Sequence, residues 1–459
     1  MNDGDSKMRK IHVDFSKKLG RIKPMHAVNN GPAMMSSENV DDTNFELYKA
    51  LGIPYARNHD ASFYYRYGGD HTVDIPYIFR DFSADENDPA SYDFTCTDDY
   101  IKNTEAAGTR TFYRLGSRIE HEMKKYGTIM PADFNKWARI CEHIIMHYTE
   151  GWANGFYYDI EYWEIWNEAD LDGDDATDKR CWSGTAKEFY ELFRTTLDYL
   201  KTRFPHLKIG GPAAAGIKEK WVRGLLESLG DIKPDFFSWH IYTSEVNKLL
   251  ERGRKAQELL DEYGLSECEN ILNEWNYVAR GNCWSGAGET YSQRIRTGLG
   301  PKCSAFTSAV MLASQHSCID MLMLYDARPS EWCTLFEPYV STSPLKSYYS
   351  LKMFSELYRL GNEVCSETEG DDLYTVAAAA DERCVMIAHY NDDERTEAKE
   401  IMLELSSIGA KNGVSVEFYA LDDKHDMDLV RKERLVSDDV TLYFTMQNLS
   451  TYLIKIVNN

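Results

Sequence analysis

The amino-acid sequence predicts an α/β protein: a (β/α)8 TIM barrel followed by a C-terminal antiparallel β-sandwich. Three observations carry this prediction. Short runs rich in β-branched and aromatic residues alternate with longer amphipathic runs from about residue 21 to about residue 340. The short runs number eight, the count that closes a parallel barrel. Beyond residue 340 the texture changes to short strand-like runs separated by Gly, Asn and Asp.

The eight candidate strands lie near residues 25–28, 55–58, 110–115, 162–166, 208–211, 236–242, 271–275 and 321–325. Between them, stretches such as 134–148, 186–203 and 304–317 repeat apolar residues at i, i+3, i+4 and i+7. That is the period of a helix with one buried face. A long insertion, residues 61–103, follows the second strand and carries Tyr64, Tyr65, Tyr67, Tyr77 and Phe79. As a βα loop it belongs on the C-terminal face of the barrel, where it is read as a wall of a pocket, as decoration or as an oligomer contact.

The second unit is expected from runs near 373–380, 383–390, 398–405, 414–421, 440–446 and 452–457. Residues 10–15 alternate apolar Ile11, Val13 and Phe15 with polar neighbours, and they are read as a further strand of that unit. The expected division is a barrel over residues 21–340 and an accessory β-domain built from 1–20 plus 341–459.

Composition narrows the function classes. The formal charge of -23 repels nucleic acid backbones and anionic membranes. No run of 18 apolar residues is present, so no membrane span is expected. The first residues lack an apolar signal region, and the ten Cys are scattered without a metal-ligand spacing. These features lead to the expectation of a cytoplasmic protein with no cofactor and no metal. Aromatic residues reach 13%; their faces suit stacking on sugar rings, although on composition alone a large aromatic core is the favoured explanation.

Two segments carry chemistry. One is Tyr162-Trp163-Glu164-Ile165-Trp166-Asn167-Glu168-Ala169-Asp170; the other is Ile271-Leu272-Asn273-Glu274-Trp275-Asn276. Each reads as an apolar strand ending in a carboxylate, at the fourth and seventh strands. Both carboxylates then face the mouth of the barrel. Two carboxyl groups flanking one bond are what glycoside cleavage requires, one giving a proton and the other attacking the anomeric carbon. The like charge of Glu274 is expected to raise the pKa of Glu168. Strand alternation places Glu164, Trp166 and Glu168 on one face. Glu164 is then deeper and reads as the buried partner of an Arg or Lys, while Glu161 is a further competitor for the acid role.

The chain resembles glycoside hydrolase family 39, within the clan whose catalytic glutamates follow strands four and seven. The resemblance rests on Tyr92-Asp93-Phe94, His147-Tyr148 and Trp166-Asn167-Glu168. It continues through Gly210-Gly211-Pro212-Ala213 and Ser238-Trp239-His240-Ile241-Tyr242 to Pro344-Leu345-Lys346-Ser347-Tyr348-Tyr349. It implies that Glu168 is the acid/base and Glu274 the nucleophile of a retaining enzyme. It further implies that Asn167 bonds the sugar's 2-hydroxyl, and that His240 and Tyr242 sit beside the nucleophile. His59 is then a subsite histidine. Asp326, Arg328 and Trp332 are read as pocket residues after the last strand. Ala169 departs from the Pro that the family usually has after the acid/base. The Asn273-Glu274-Trp275-Asn276 run is also similar to family 51 arabinofuranosidases.

The implied activity is exo-acting hydrolysis of a β-xyloside or related pentoside. Its substrate is an oligosaccharide or small glycoside, and a homo-oligomer is possible. The alternatives are an α-L-arabinofuranosidase, an α-L-iduronidase or a galactosidase of the same clan, and an inactive sugar-binding barrel. Both glutamates being present counts against the last. Arg57, Arg66 and Arg328 are the basic residues available to hold a uronate.

Overall fold

The computed structural model describes residues 8–32, 43–60, 71–279, 299–329, 333–337, 343–410 and 412–458. The chain opens with β1 (Arg9–Arg21), and then builds a closed parallel barrel. Its strands are β2 (Ala27–Asn29), β3 (Tyr55–Arg57), β4 (Arg110–Leu115), β5 (Tyr162–Ile165), β6 (Lys208–Ala214), β7 (Phe236–Thr243), β8 (Glu269–Tyr277) and β9 (Met321–Leu324). These are the eight predicted strands in the predicted order. β2 closes the circle by pairing with β9.

The helices form where the apolar period announced them. The Phe134–Thr149 helix is capped by Asp133, whose carboxylate accepts from the backbone N–H of Asn135 and Lys136. The Ala186–Arg203 helix starts with a capping box between Thr185 and Glu188. The predicted 304–317 helix runs instead over Pro301–Gln315, because Pro301 supplies a favourable first helical position. Within the predicted 61–103 loop, residues 61–70 lie outside the described residues. The remainder is not all loop: it holds two short helical turns and the start of the Thr95–Ala106 helix.

The barrel interior is layered. Ala27, Phe112, Tyr162, Phe236, Ile271, Met321 and Met323 form an apolar plug. Phe112 stacks on Tyr162 with centroids 5.1 Å apart, and Phe236 meets Phe112 edge-on at 5.2 Å. Residues two positions further along the strands point to the same interior side, one layer nearer the C-terminal face. There the layer turns polar: Arg114 and Glu164 stand in register above Phe112 and Tyr162.

The chain leaves the barrel through the Lys346–Leu360 helix and forms β10 (Asn362–Thr368), β11 (Leu373–Ala379), β12 (Arg383–His389), β13 (Lys399–Ser406), β14 (Val414–Leu421), β15 (Asp426–Leu435), β16 (Val440–Met446) and β17 (Ser450–Asn458). These join β1 in one nine-stranded sheet of order β15-β14-β17-β12-β11-β10-β1-β13-β16. The pairings are antiparallel except that β1 runs parallel to β13. The two layers predicted as a sandwich are thus opposing parts of one curled sheet. Phe418 of β14 packs edge-on against Phe444 of β16 at 5.4 Å, and Arg431 donates across to the Tyr443 carbonyl at 3.0 Å. A second core, with Ile11, Val13, Val385, Leu403, Phe418 and Ile454, fills the curl. The opposite face of β11, β12 and β17 contributes Val376, Ala378, Met386 and Leu453 to the same core as the barrel helices.

β1 is longer than the six residues predicted. Ser16 to Gly20 are exposed, so no burial pattern marks them, yet their backbone continues to pair with β10 through two register shifts. Ile11 and Val13 are fully buried. Ile11→Ala is expected to cost about 2–5 kcal/mol in denaturant unfolding. Lys17→Ala, on the exposed part of the same strand, should change stability by less than about 0.5 kcal/mol.

Candidate active site

Two breaks in strand regularity deliver the two predicted carboxylates to the barrel mouth. On β8, Ile271 faces the plug and Leu272 faces the helices. Alternation points Asn273 inward, where its amide donates to Glu164. Glu274 should then point outward. Instead the register with β7 jumps, so that Trp239 pairs with Leu272 but His240 pairs with Glu274. This bulge re-aims Glu274 toward the axis and sends Trp275 out against Phe306. The strand continues to Tyr277, so Glu274 lies inside β8 and not at its end.

The second break follows β5, which ends at Ile165. Trp166 has φ 72° and Glu168 φ 48°. These are left-handed conformations that strain a residue with a side chain, and they are concentrated here at the mouth. The expectation that Glu164, Trp166 and Glu168 share one face therefore fails for Trp166. Its ring turns outward between Trp137 and Trp182, and its indole N–H donates to the Cys181 carbonyl at 2.8 Å. Gly116 makes room for this turn, since a Cβ there would lie 2.9 Å from the Trp166 Cα.

The result is a pair. One carboxylate oxygen of Glu168, one of Glu274 and a ring nitrogen of His240 all lie within 4.8 Å of one another. His240 Nδ1 is 2.9 Å from Glu168 and 3.5 Å from Glu274. Tyr242 donates its hydroxyl to Glu274 at 2.6 Å. Burial and the facing Glu274 push the Tyr242 pKa well up, so it remains a donor. His59 Nε2 stands 3.9 Å from Glu274. Burial lowers the pKa of both His59 and His240, which favours their neutral forms.

Arg57 organises the floor. It is fully buried and reaches four residues on or just beyond three strands, β2, β5 and β8. Nε donates to Glu164 at 2.6 Å and Nη2 to Asn167 at 2.7 Å. Nη1 donates to Asn29 at 3.1 Å and to Glu274 at 3.4 Å. Glu164, predicted as the buried partner of a basic residue, is that partner; Ser238 and Asn273 donate to its other oxygen. Glu161 lies at the opposite end of β5, paired with Lys208 and Arg110, away from the mouth.

Burial pushes the carboxyls of both Glu168 and Glu274 up to about 7. For Glu168 burial is the leading cause, in place of the expected like-charge effect; the like charge is visible on Glu274, second to burial and His240. Both therefore hold a proton more readily than an exposed carboxyl does. Their surroundings differ. Glu274 accepts from a guanidinium and a phenol, whereas among the described residues Glu168 meets His240 and the Cys181 thiol, the latter 4.0 Å away. These partners favour the ionised form more at Glu274 than at Glu168.

Asp326 and Arg328, predicted as pocket residues, belong to a neighbouring ion cluster. Arg328 bonds Asp326 at 2.9 Å and approaches Asp60 at 3.4 Å, and Tyr325 donates to Asp60. Burial opposes the charge on Asp60, but these partners hold its pKa below the usual carboxylate range. Burial raises Asp326 to about 6. Trp332 and Arg66 lie outside the described residues. Sequence reasoning missed the organising roles of Arg57, Asn29 and Asn273. The signal for Arg57 was present: an arginine closes a short, otherwise buried barrel strand.

Removing Arg57 should expose its structural share. Arg57→Met leaves Glu164 buried without its cation and is expected to cost about 3–5 kcal/mol in denaturant unfolding. Arg57→Met combined with Glu164→Gln should recover much of that loss. A single variant within about 1 kcal/mol of the parent would contradict this account of the site.

With this geometry in place, comparison with known proteins becomes informative. The profile of "Glycosyl hydrolases family 39" matches residues 9–271, more than half of the chain. A β-xylosidase of Geobacillus stearothermophilus is 26% identical over 182 residues, 37% of this chain and 34% of that protein. A β-xylosidase of Caldicellulosiruptor saccharolyticus is 23% identical over 255 residues, 52% of this chain and 47% of that protein. The matched regions thus span about a third to a half of those curated relatives. A glucosidase structure from Croceicoccus marinus superposes with a TM-score of 0.81 at 19% identity, covering 99% of both chains. A family 39 β-xylosidase from Caulobacter crescentus gives 0.69 at 16% identity, covering 98% of this chain and all of that one. At such identities the superpositions speak for the fold, while the profile match speaks for the family. The chain belongs to glycosyl hydrolases family 39, a family of retaining glycosidases.

Proposed function

We propose that the protein is a retaining, exo-acting glycosidase that releases a neutral pentose, with a β-xyloside as its substrate. The observation that carries the reading is the pair of Glu168 and Glu274 oxygens within 4.8 Å in unlike surroundings. Retaining enzymes hold their two carboxyls about 5–5.5 Å apart, whereas inverting enzymes leave room for a water at about 6.5–9.5 Å. The family relatives named β-xylosidase favour the sugar.

The reaction runs in two displacements. Glu168 gives its proton to the glycosidic oxygen while Glu274 attacks the anomeric carbon, and the leaving alcohol departs. Glu168, now ionised, takes a proton from water, whose oxygen displaces Glu274 and regenerates both groups. Arg57 and Tyr242 hold Glu274 in place for attack and receive its charge when it leaves. Arg57 also occupies the Asn167 Oδ1, which leaves the amide nitrogen as the donor for the 2-hydroxyl.

Charge pairing favours a neutral sugar over a uronide. Of the candidate arginines among the described residues, Arg57 is committed to Glu164 and Glu274, and Arg328 to Asp326 and Asp60. In a screen of nitrophenyl glycosides, β-xyloside is expected to show the highest kcat/KM and uronides at least about tenfold less. Preferred turnover of a uronide overturns the neutral-sugar reading, and preference for an arabinofuranoside moves the substrate within the pentoside class.

The glutamate roles separate by mutation. Glu274→Ala should lose turnover of every substrate, and azide should restore it with inverted configuration. Glu168→Ala should lose about 10²–10⁴-fold on alkyl glycosides but far less on nitrophenyl glycosides, whose leaving group needs no proton. Azide should rescue that variant with retention. The general acid works only while protonated, so parent activity on alkyl glycosides should fall as pH rises through about 7. The Glu168→Ala variant should lose that alkaline limb on nitrophenyl substrates. Inversion by the parent enzyme would sink the mechanism.

A further inference from the structure

Large apolar side chains gather at one place on the C-terminal face. Met123, Tyr126 and Ile129 are 92%, 65% and 52% exposed. All three stand on the loop that follows β4, among charged neighbours, so their exposure is not the surface of a generally apolar segment. The loop is not loose. The buried Glu120 carboxylate accepts from the backbone N–H of Tyr126, Gly127 and Thr128 and from the Thr128 hydroxyl. Lys125 caps the Glu120 and Glu122 carbonyls and pairs with Asp178 at 2.8 Å.

The same loop is stitched to the segment that carries the acid/base. Glu120 N–H donates to the Arg180 carbonyl at 2.9 Å, and Ser183 N–H donates to the Thr128 carbonyl at 3.0 Å. Cys181, between those two contacts, is the residue whose thiol faces Glu168. The loop that bears these exposed side chains is therefore hydrogen-bonded on both sides of the residue behind Glu168. Because Glu168 protonates the leaving oxygen, the leaving group must depart on its side of the site.

We propose that the 116–133 loop is a platform for the leaving group, selecting glycosides whose aglycone carries an apolar body, aromatic or alkyl. The aglycone lies along Met123 and Tyr126 and shields them from water, while the sugar occupies the Arg57 side. This rests on the reading of Glu168 as the acid. Binding energy gathered at such a distance also positions the scissile bond, so the platform acts on kcat/KM.

The test uses methyl and octyl glycosides of whichever sugar the enzyme turns over fastest in the nitrophenyl screen. The variant is Met123→Ser combined with Tyr126→Ser, both exposed side chains; the Tyr126 backbone N–H keeps its bond to Glu120. Octyl-glycoside kcat/KM should fall about tenfold, the effect of exposing about two methylene groups. Methyl-glycoside kcat/KM should stay within about twofold. Val436→Ser, exposed on the accessory sheet, should leave both rates unchanged. Equal loss on both substrates, or no loss on either, overturns the platform. So does unchanged selectivity with a parent dimer that the variant dissolves in sedimentation, which makes the face an interface between copies. Failure of the parent to hydrolyse any glycoside is a different result; it removes the glycosidase reading and the platform with it.

Discussion

The site depends on one buried cation. Arg57 has no exposed surface, so its charge must be met by protein groups or the barrel mouth does not close. Glu164 meets it directly, and Asn29 and Asn167 occupy its remaining donors. Glu274 is then the second carboxylate on one guanidinium. Its charge is tolerable because Tyr242 adds a hydrogen bond. A third ionised carboxylate in the same layer, on Glu168, would have no cation of its own within hydrogen-bond reach among the described residues. One charge and its partners therefore favour ionisation of Glu274 over that of Glu168.

Below that layer the barrel is dry and aromatic. Phe112, Tyr162 and Phe236 fill its base so that the polar residues above rest on a surface that does not yield. In the layer above, Arg57, Ser238 and Asn273 all donate to Glu164. The accessory sheet supports the same end of the molecule. Asp392, after β12, accepts from Tyr277 at the end of β8, pairs with Lys302 and bonds Ser244 just beyond β7. The strands bearing Glu274, His240 and Tyr242 are thus held from outside the barrel as well as within it.

Strain at the mouth fits this arrangement. Trp166 and Glu168 adopt left-handed backbone angles, and β7–β8 carries a bulge at Glu274. Such departures persist only where surrounding contacts over-determine them. The outward Trp166 ring, locked between Trp137 and Trp182, supplies those contacts on the Glu168 side. On the Glu274 side Trp275 packs against Phe306 and does the same.

Much of this was legible in the sequence. Eight strand runs, the helical periods between them and the later change to short strands depend on local patterning, and local patterning survives folding where one face is buried. The Asn-Glu pairs at strands four and seven marked both carboxylates, and Glu164 was read as the partner of a base. Tertiary structure decided the rest. Strand parity alone aims Trp166 into the barrel and Glu274 out of it; a turn and a bulge reverse both, and neither leaves a mark in periodicity. Nor does sequence separation reveal that Arg57, Glu164 and Glu274 share one buried charge balance, because only barrel closure brings β3, β5 and β8 within hydrogen-bond distance. The order of ionisation of the two glutamates is a property of that balance. It is set by which oxygens face Arg57 and Tyr242, a matter of ångströms that a one-dimensional pattern does not encode.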